Sequence, residues 1–173
     1  DADDAAQPVE VVVMFTDLSG FTQFTTDQGD EAAAVLVAEH QRLVGPIVRS
    51  RGGRIVKRMG DGLMMSFPVP EAAVLAAVEL VDAVDAAGPL RLRAGIHLGD
   101  AVVTHDDILG GAVNVAARIT EDAGPGVVLA SSGVREAVES GSGSLQGVSF
   151  GRARRRRLKG VEPLSVCRVE VTS

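Results

Sequence analysis

Residues 9–17 (VEVVVMFTD) form an almost unbroken apolar run, the pattern of a strand covered on both faces, and the run ends on a carboxylate, Asp17. Leu18-Ser19-Gly20 then reads as a loop passing into a turn of helix. Over 30–49 the apolar positions Ala33, Leu36, Val37, Leu43, Val44, Ile47 and Val48 share one face of a helix. His40 falls on that face and is expected in the core, and Pro46 marks a possible kink. Arg51-Gly52-Gly53 ends the helix. Residues 54–58 (RIVKR) and 62–67 (GLMMSF) read as two strands joined by the turn Met59-Gly60-Asp61-Gly62, which puts a second acid at a tight bend. Pro68 and Pro70 open a helix over 71–86. Segment 90–98 alternates: Leu90, Leu92, Ala94, Ile96 and Leu98 share one face, with Arg91, Arg93, Gly95 and His97 on the other. A short strand at 101–104, a helix over 111–122, a strand at 126–130, a helix over 132–139 and strands at 147–150 and 163–171 complete the pattern.

This order, β, α, hairpin, α, β and then an α/β extension, predicts an α+β fold: a ferredoxin-like βαββαβ sandwich with a C-terminal extension. No repeat or linker interrupts it. One domain is expected over 9–173, behind a flexible leader at 1–8 whose Asp1, Asp3 and Asp4 are solvated. The first residue is Asp rather than Met, so the chain reads as a piece of a longer one.

Composition narrows the partners. With 17 Lys+Arg against 23 Asp+Glu the formal net charge is −6, and five Phe with no Trp or Tyr leave few rings on which bases could stack. A polymeric nucleic-acid partner is therefore not expected. The single cysteine, Cys167, has no second thiol for a bridge or a zinc set and reads as a small core residue in a reducing, intracellular setting. No apolar run reaches the ~18–20 residues of a membrane span, and no signal-peptide pattern opens the chain.

The chemistry-bearing positions fall into three groups. Asp17 precedes the loop Leu18-Ser19-Gly20-Phe21, whose backbone N–H groups would favour phosphate while the carboxylate favours a hard cation bridging to it; the alternative is a helix N-cap. Asp61 is either an ordinary Asp-Gly turn residue or the partner of Asp17, because a hairpin following a βα unit commonly lies beside the first strand. Converging carboxylates need a cation between them or a raised pKa. Asn114 and Arg118 are one helical turn apart and share a face, as a ligand-orienting amide with a phosphate-directed guanidinium or as a solvated pair. Lys57 and Asp107, if they faced one purine, would offer a donor to adenine N1 and an acceptor to its N6; guanine would leave both mismatched. The run Arg152, Arg154, Arg155, Arg156 and Arg157 is either a solvated face or a support for the triphosphate or a regulatory contact. His97 and His105 have no partners at metal spacing.

Phe15-Thr16-Asp17-Leu18-Ser19-Gly20-Phe21-Thr22, Lys57-Arg58-Met59-Gly60-Asp61-Gly62, the stretch from Asp107 through Gly110-Gly111-Ala112-Val113-Asn114 to Arg118, and Leu158-Lys159-Gly160 occur in the order of the class III nucleotidyl cyclases. Over about residues 9–171 the chain resembles the catalytic domain of that adenylate and guanylate cyclase family, most closely a bacterial homodimeric adenylate cyclase. The resemblance implies that Asp17 and Asp61 hold two divalent cations, Mg2+ or Mn2+. It also implies that Lys57 and Asp107 read adenine, that Asn114 orients the ribose, that Arg118 stabilises the five-coordinate α-phosphate and that Lys159 contacts the terminal phosphates. The implied reaction is ATP to 3′,5′-cyclic AMP and pyrophosphate, at composite sites of a head-to-tail homodimer in the cytosol, with regulatory domains elsewhere in a longer chain. Guanylate cyclase, or a silent nucleotide-binding regulatory module, is the alternative. A diguanylate cyclase is disfavoured because the hairpin lacks its Gly-Gly-Asp/Glu-Glu-Phe signature. The short connection from Gly99 to Asp107, and Leu109 where relatives often carry an aromatic side chain, depart from the vertebrate pattern.

Overall fold

A computed structural model of the protein describes residues 7–141 and 145–172. Most of the expected leader, residues 1–6, lies outside the described residues; Gln7 and Pro8 are exposed. The opening apolar run is β1 (Val9–Leu18), followed by α1 (Phe21–Gln28), α2 (Asp30–Ser50), the hairpin β2 (Arg54–Met59) and β3 (Gly62–Phe67), and α3 (Pro70–Ala87). Then come β4 (Leu92–Val103), β5 (Ile108–Leu109), α4 (Gly111–Asp122), β6 (Val128–Ser131), α5 (Ser132–Gly141), β7 (Val148–Phe150), β8 (Arg154–Arg156) and β9 (Leu164–Val171).

The sheet order is β2-β3-β1-β4-β6-β9-β7, with β5 on β4 and β8 on β9. Its first four strands are the expected split βαβ arrangement, β1 lying antiparallel between β3 and β4. β6 joins β4 in parallel, and β9 returns antiparallel to β6.

β1 is apolar without interruption because its alternate side chains enter two cores. Val12, Met14 and Leu18 pack into the main cluster with Leu36, Val44, Val74 and Leu80 of α2 and α3. Val13 enters a second cluster with Met64, Ala112 and Ala116, on the side that α4 covers. Each large apolar side chain fully withdrawn from water contributes about 1.5–3 kcal/mol. His40 and Cys167 are buried as the apolar pattern anticipated.

Three elements differ from the sequence reading. The segment after β1 is a full helix, α1, rather than a loop and a single turn; Phe21 and Phe24 fasten it to the main cluster. The strands expected at 90–98 and 101–104 are one strand, since Gly99 and Asp100 continue the pairing opposite Val11 and Glu10. The arginine run contains an edge strand, β8, with Arg154 opposite Val166 and Arg156 opposite Leu164.

α4 sits flush on β4 at one point. A side chain on Gly95 would begin 2.4 Å from Thr120 Oγ1 and 2.5 Å from Thr120 N, so only glycine allows this approach. Thr120 Oγ1 lies 2.9 Å from the Ala116 carbonyl of its own helix and 3.2 Å from the Phe15 carbonyl of β1.

Candidate active site

Asp17 and Arg93 are direct cross-strand partners on β1 and β4, so both side chains leave the same face of the sheet. Arg93 Nε donates to Asp17 Oδ1 at 2.5 Å and Arg93 Nη2 to Oδ2 at 3.0 Å, a two-pronged ion pair. Arg93 Nη1 also donates to the carbonyl of Glu121, at 3.1 Å. The bond to Asp17 holds the guanidinium above its ordinary pKa.

Asp61 reaches the same place through the hairpin. β3 pairs with β1 as far as Thr16 opposite Leu63, and the two-residue loop Gly60-Asp61 therefore closes beside the tip of β1. Gly60, the first residue of that loop, takes φ +62, as primed hairpin turns require. Asp61 Oδ2 accepts the backbone N–H of Leu18 at 2.9 Å. Burial pushes the Asp61 carboxyl above the ordinary aspartate range and the Asp17 charge adds to this, while the Leu18 N–H and Arg93 oppose it. Asp17, Ser19, Gly20, Asp61, Arg93 and Pro125 line an open cleft of about 600 Å3.

This donor set fits a divalent cation. Asp17 and Asp61 bring two hard carboxylates into one cleft, and the Ser19 hydroxyl beside them is buried with no partner among the described residues. No cluster of three or more His, Cys, Asp or Glu is present among the described residues, so substrate phosphates and water would complete the coordination.

The loop N–H groups are partly committed already. Leu18 N donates to Asp61 and Ser19 N donates to the Arg91 carbonyl at 2.8 Å. This corrects the expectation that Leu18 and Ser19 offer free N–H groups to phosphate: the β1–β4 pairing and the Asp61 turn take them, leaving Gly20 and Phe21 at the start of α1.

Lys57, in β2, and Asp107, before β5, form an ion pair at 2.9 Å. Asp107 Oδ1 also accepts the Ile108 N–H at 2.8 Å, and the Thr104 hydroxyl accepts the Asp107 N–H at 3.0 Å, which fixes the connecting loop. The Lys57 ammonium holds the Asp107 carboxyl below its usual range. Leu109, 52% exposed, stands beside this pair in sequence.

Asn114 and Arg118 share a face of α4, as the spacing predicted. Asn114 Nδ2 lies 3.5 Å from the Gly160 carbonyl, which brings the Lys159 loop against this helix; Lys159 itself is exposed. Arg118 Nη1 donates to both carboxylate oxygens of Glu121, at 3.0 and 3.2 Å, and its Nε is buried with no partner among the described residues. Among the described residues no hydrogen bond or ion pair joins Asp17 or Asp61 to Lys57, Asp107, Asn114 or Lys159. Among the described residues Glu121 connects Arg93 to Arg118, its carbonyl taking Arg93 and its carboxylate taking Arg118.

The arginine run lies apart from this cleft. Arg156 forks onto Asp122 at 2.7 and 2.9 Å, and Arg152, Arg154 and Arg156 line a separate groove with Arg168. His97, half-buried, has its Nδ1 2.8 Å from Ser131 Oγ, and His105 is exposed.

Residues 4–163 match the adenylate and guanylate cyclase catalytic domain. The chain belongs to this family. As a nucleotidyl cyclase domain it is 35% identical over 157 residues to the pH-sensitive adenylate cyclase of Mycobacterium tuberculosis, with 88% of this chain and 38% of that protein covered. It is 33% identical over 128 residues to an adenylate cyclase of Streptomyces coelicolor, covering 73% of this chain and 33% of that one. Its fold is also that of a solved guanylyl cyclase, with a TM-score of 0.81 at 22% identity, covering 97% of this chain and 95% of that one. The cyclase domain spans about a third of the length of the curated relatives it matches, 35% of the first of them. No helix among the described residues is long and apolar enough to cross a membrane.

Arg93 is the residue of the candidate site that the sequence reading left unassigned. Its signal was present, a cation on the polar face of an otherwise apolar strand, but the register that sets it opposite Asp17 is a tertiary fact.

Proposed function

We propose that this cyclase domain is an adenylate cyclase, converting ATP to 3′,5′-cyclic AMP and pyrophosphate at composite sites of a head-to-tail homodimer. The observation that carries the choice of purine is the Lys57–Asp107 pair, 2.9 Å apart and partly exposed. A fixed ammonium beside a fixed carboxylate presents one donor and one acceptor, which complement N1 and N6 of adenine. The guanine edge would leave both groups mismatched, so the pair favours adenine.

Asp17 and Asp61 hold the divalent cations, Mg2+ or Mn2+, which when bound supply charge neutralisation to the triphosphate and favour ionisation of the ribose 3′-hydroxyl. Arg93, already in that cleft, offers its fork to phosphate oxygens once Asp17 is shared. Asn114 orients the ribose, Arg118 meets the charge that develops on the α-phosphate, and Lys159, with the N–H groups of Gly20 and Phe21, contacts the remaining phosphates. The 3′-hydroxyl gives its proton to water in the open cleft and its oxygen bonds the α-phosphorus as the bond from that phosphorus to the bridging oxygen breaks, and pyrophosphate leaves with the electron pair. The attack is intramolecular, so the protein supplies positioning and charge stabilisation.

Two copies are required because one chain carries both sets of residues with little to join them. Antiparallel pairing would bring the acids of each copy to the α4 face and purine pair of the other, giving two equivalent sites. ATP places the domain in the cytosol, and the length of the relatives leaves room for regulatory domains in a longer protein.

The test is an assay of the purified chain with Mn2+ and either ATP or GTP, following the cyclic nucleotide. Cyclic AMP from ATP is expected. No cyclic nucleotide at any protein concentration would indicate a silent module, and cyclic GMP in excess would reverse the purine assignment.

A further inference from the structure

Among the described residues four buried side-chain polar atoms have no hydrogen-bond partner: Thr16 Oγ1, Ser19 Oγ, Arg118 Nε and His40 Nε2. Ser19 lines the cleft described above, Thr16 precedes Asp17 in β1, and Arg118 lies on the α4 face with Asn114. His40 belongs to none of these. It sits on the inner face of α2, 5% exposed, and lines a cavity of about 250 Å3 between α2, the end of α3 and the tip of β1. Leu18, Leu36, Leu43, Val84 and Leu90 form most of the remaining wall, and Glu39 contributes a carboxylate. Apolar cavities of about 150 Å3 already accept a benzene-sized molecule, so this one has room for a substituted ring. Burial pushes His40 below the ordinary imidazole range, and the neutral ring carries one N–H and one acceptor nitrogen.

We propose that this cavity is a binding site for a small, uncharged, ring-sized apolar molecule bearing one hydroxyl or carbonyl group, which His40 recognises. The aliphatic wall accepts the ring, an orphaned imidazole in such a wall needs a polar partner, and the Glu39 carboxylate disfavours an anion.

The cavity is mechanically close to the cyclase cleft. Leu18 and Asp17 are consecutive residues on opposite faces of β1: the Leu18 side chain lines the cavity while its N–H donates to Asp61 at 2.9 Å. Leu90, also in the wall, lies 3.8 Å from where a side chain on Gly20 would begin, and the neighbouring Arg91 carbonyl accepts the Ser19 N–H. Occupancy presses on Leu18 and Leu90 together and therefore on the loop that holds the acids.

The test uses phenol as the polar probe and benzene as its apolar counterpart, titrated into isotope-labelled protein and followed by nuclear magnetic resonance, so it needs no cyclase activity. Phenol should shift the His40 ring signals saturably and leave those of His97 in place, and the Leu18 amide should move along the same binding curve. His40→Leu should weaken phenol binding about tenfold, the worth of one hydrogen bond, and leave benzene binding within about twofold. His40→Gln, which keeps a donor and an acceptor, should restore part of the phenol affinity. A non-saturating response, or equal phenol affinity in the wild type and His40→Leu, would overturn the site. A saturating His40 response with a stationary Leu18 amide would overturn the link to the cleft. If cyclase activity is absent while these shifts occur, the catalytic reading fails and the cavity stands.

Discussion

Arg93 grips both carboxylate oxygens of Asp17, its direct cross-strand neighbour, inside the cleft that also contains Asp61. The acid is neutralised by the chain's own guanidinium. The same fork matches a phosphate by chemistry, so in the proposed reaction it could turn from Asp17 to the substrate.

Replacing Arg93 by Gln should lower kcat/KM for ATP by about ten- to hundredfold, mainly through KM, because the lost contact would serve ground state and transition state alike. Arg93→Lys, with the charge but not the fork, should fall between. Steady-state kinetics at saturating Mn2+ checks this, with circular dichroism confirming that β4 remains paired.

Asp61 gives a pH signature of defined sign. Its carboxyl is raised above the ordinary value of 3.8 by burial, so the folded state binds its proton more tightly than the unfolded state. The associated stability is fully present below the ordinary value and is lost as pH rises through the raised one. At pH 7 the ionised, half-buried Asp61 therefore costs stability. Asp61→Asn, which can still accept the Leu18 N–H, should melt about 2–4 °C higher than wild type at pH 7 and no higher at pH 3. It should also lose the thermal shift that Mn2+ gives the wild type. Melting curves across pH, with and without Mn2+, decide the matter.

The purine pair predicts a change in selectivity rather than loss of fold, since both side chains are at least partly exposed. Lys57→Glu combined with Asp107→Ala should reduce the ratio of kcat/KM for ATP over GTP about tenfold or more, by removing both adenine-matched groups. Competition between the two nucleotides in one reaction measures the ratio directly. An unchanged ratio would mean that other residues read the base.

Composite sites predict complementation. Asp17→Ala and Arg118→Ala should each be inactive alone. An equal mixture should recover about a quarter of wild-type activity, because half of the dimers are mixed and each of those has one intact site out of two. Zero recovery, with dimers present by analytical ultracentrifugation, would contradict the pairing.

Much of this arrangement was legible in the residue pattern. The central strand, the Asp61 hairpin and the α4 face carrying Asn114 and Arg118 follow from periodicity, and the split βαβ order from their succession. What was not legible depended on partners distant in sequence. The α1 segment FTQFTTDQ is rich in Thr and poor in strong helix formers, and it is fastened by Phe21 and Phe24 packing into the main core. Gly99-Asp100 resembles a break in β4 until β1 is seen pairing across it. The basic run looked uniform as composition, yet only Arg152, Arg154 and Arg156 line the groove beside Asp122; Arg155 and Arg157 do not. Charge reversal at Arg155 and Arg156 together would mix two different environments.

Gly95 has a wider consequence. Because Thr120 occupies the space where a side chain would start, α4 packs directly on the β4 backbone, and any larger residue at position 95 would push the helix off the sheet. The residues proposed to meet the ribose and the α-phosphate therefore ride on the same rigid block as the acids of their own chain. If two copies pair as proposed, tightening around a nucleotide would come from one copy turning against the other, and the contact between them would serve as a hinge as well as an assembly joint.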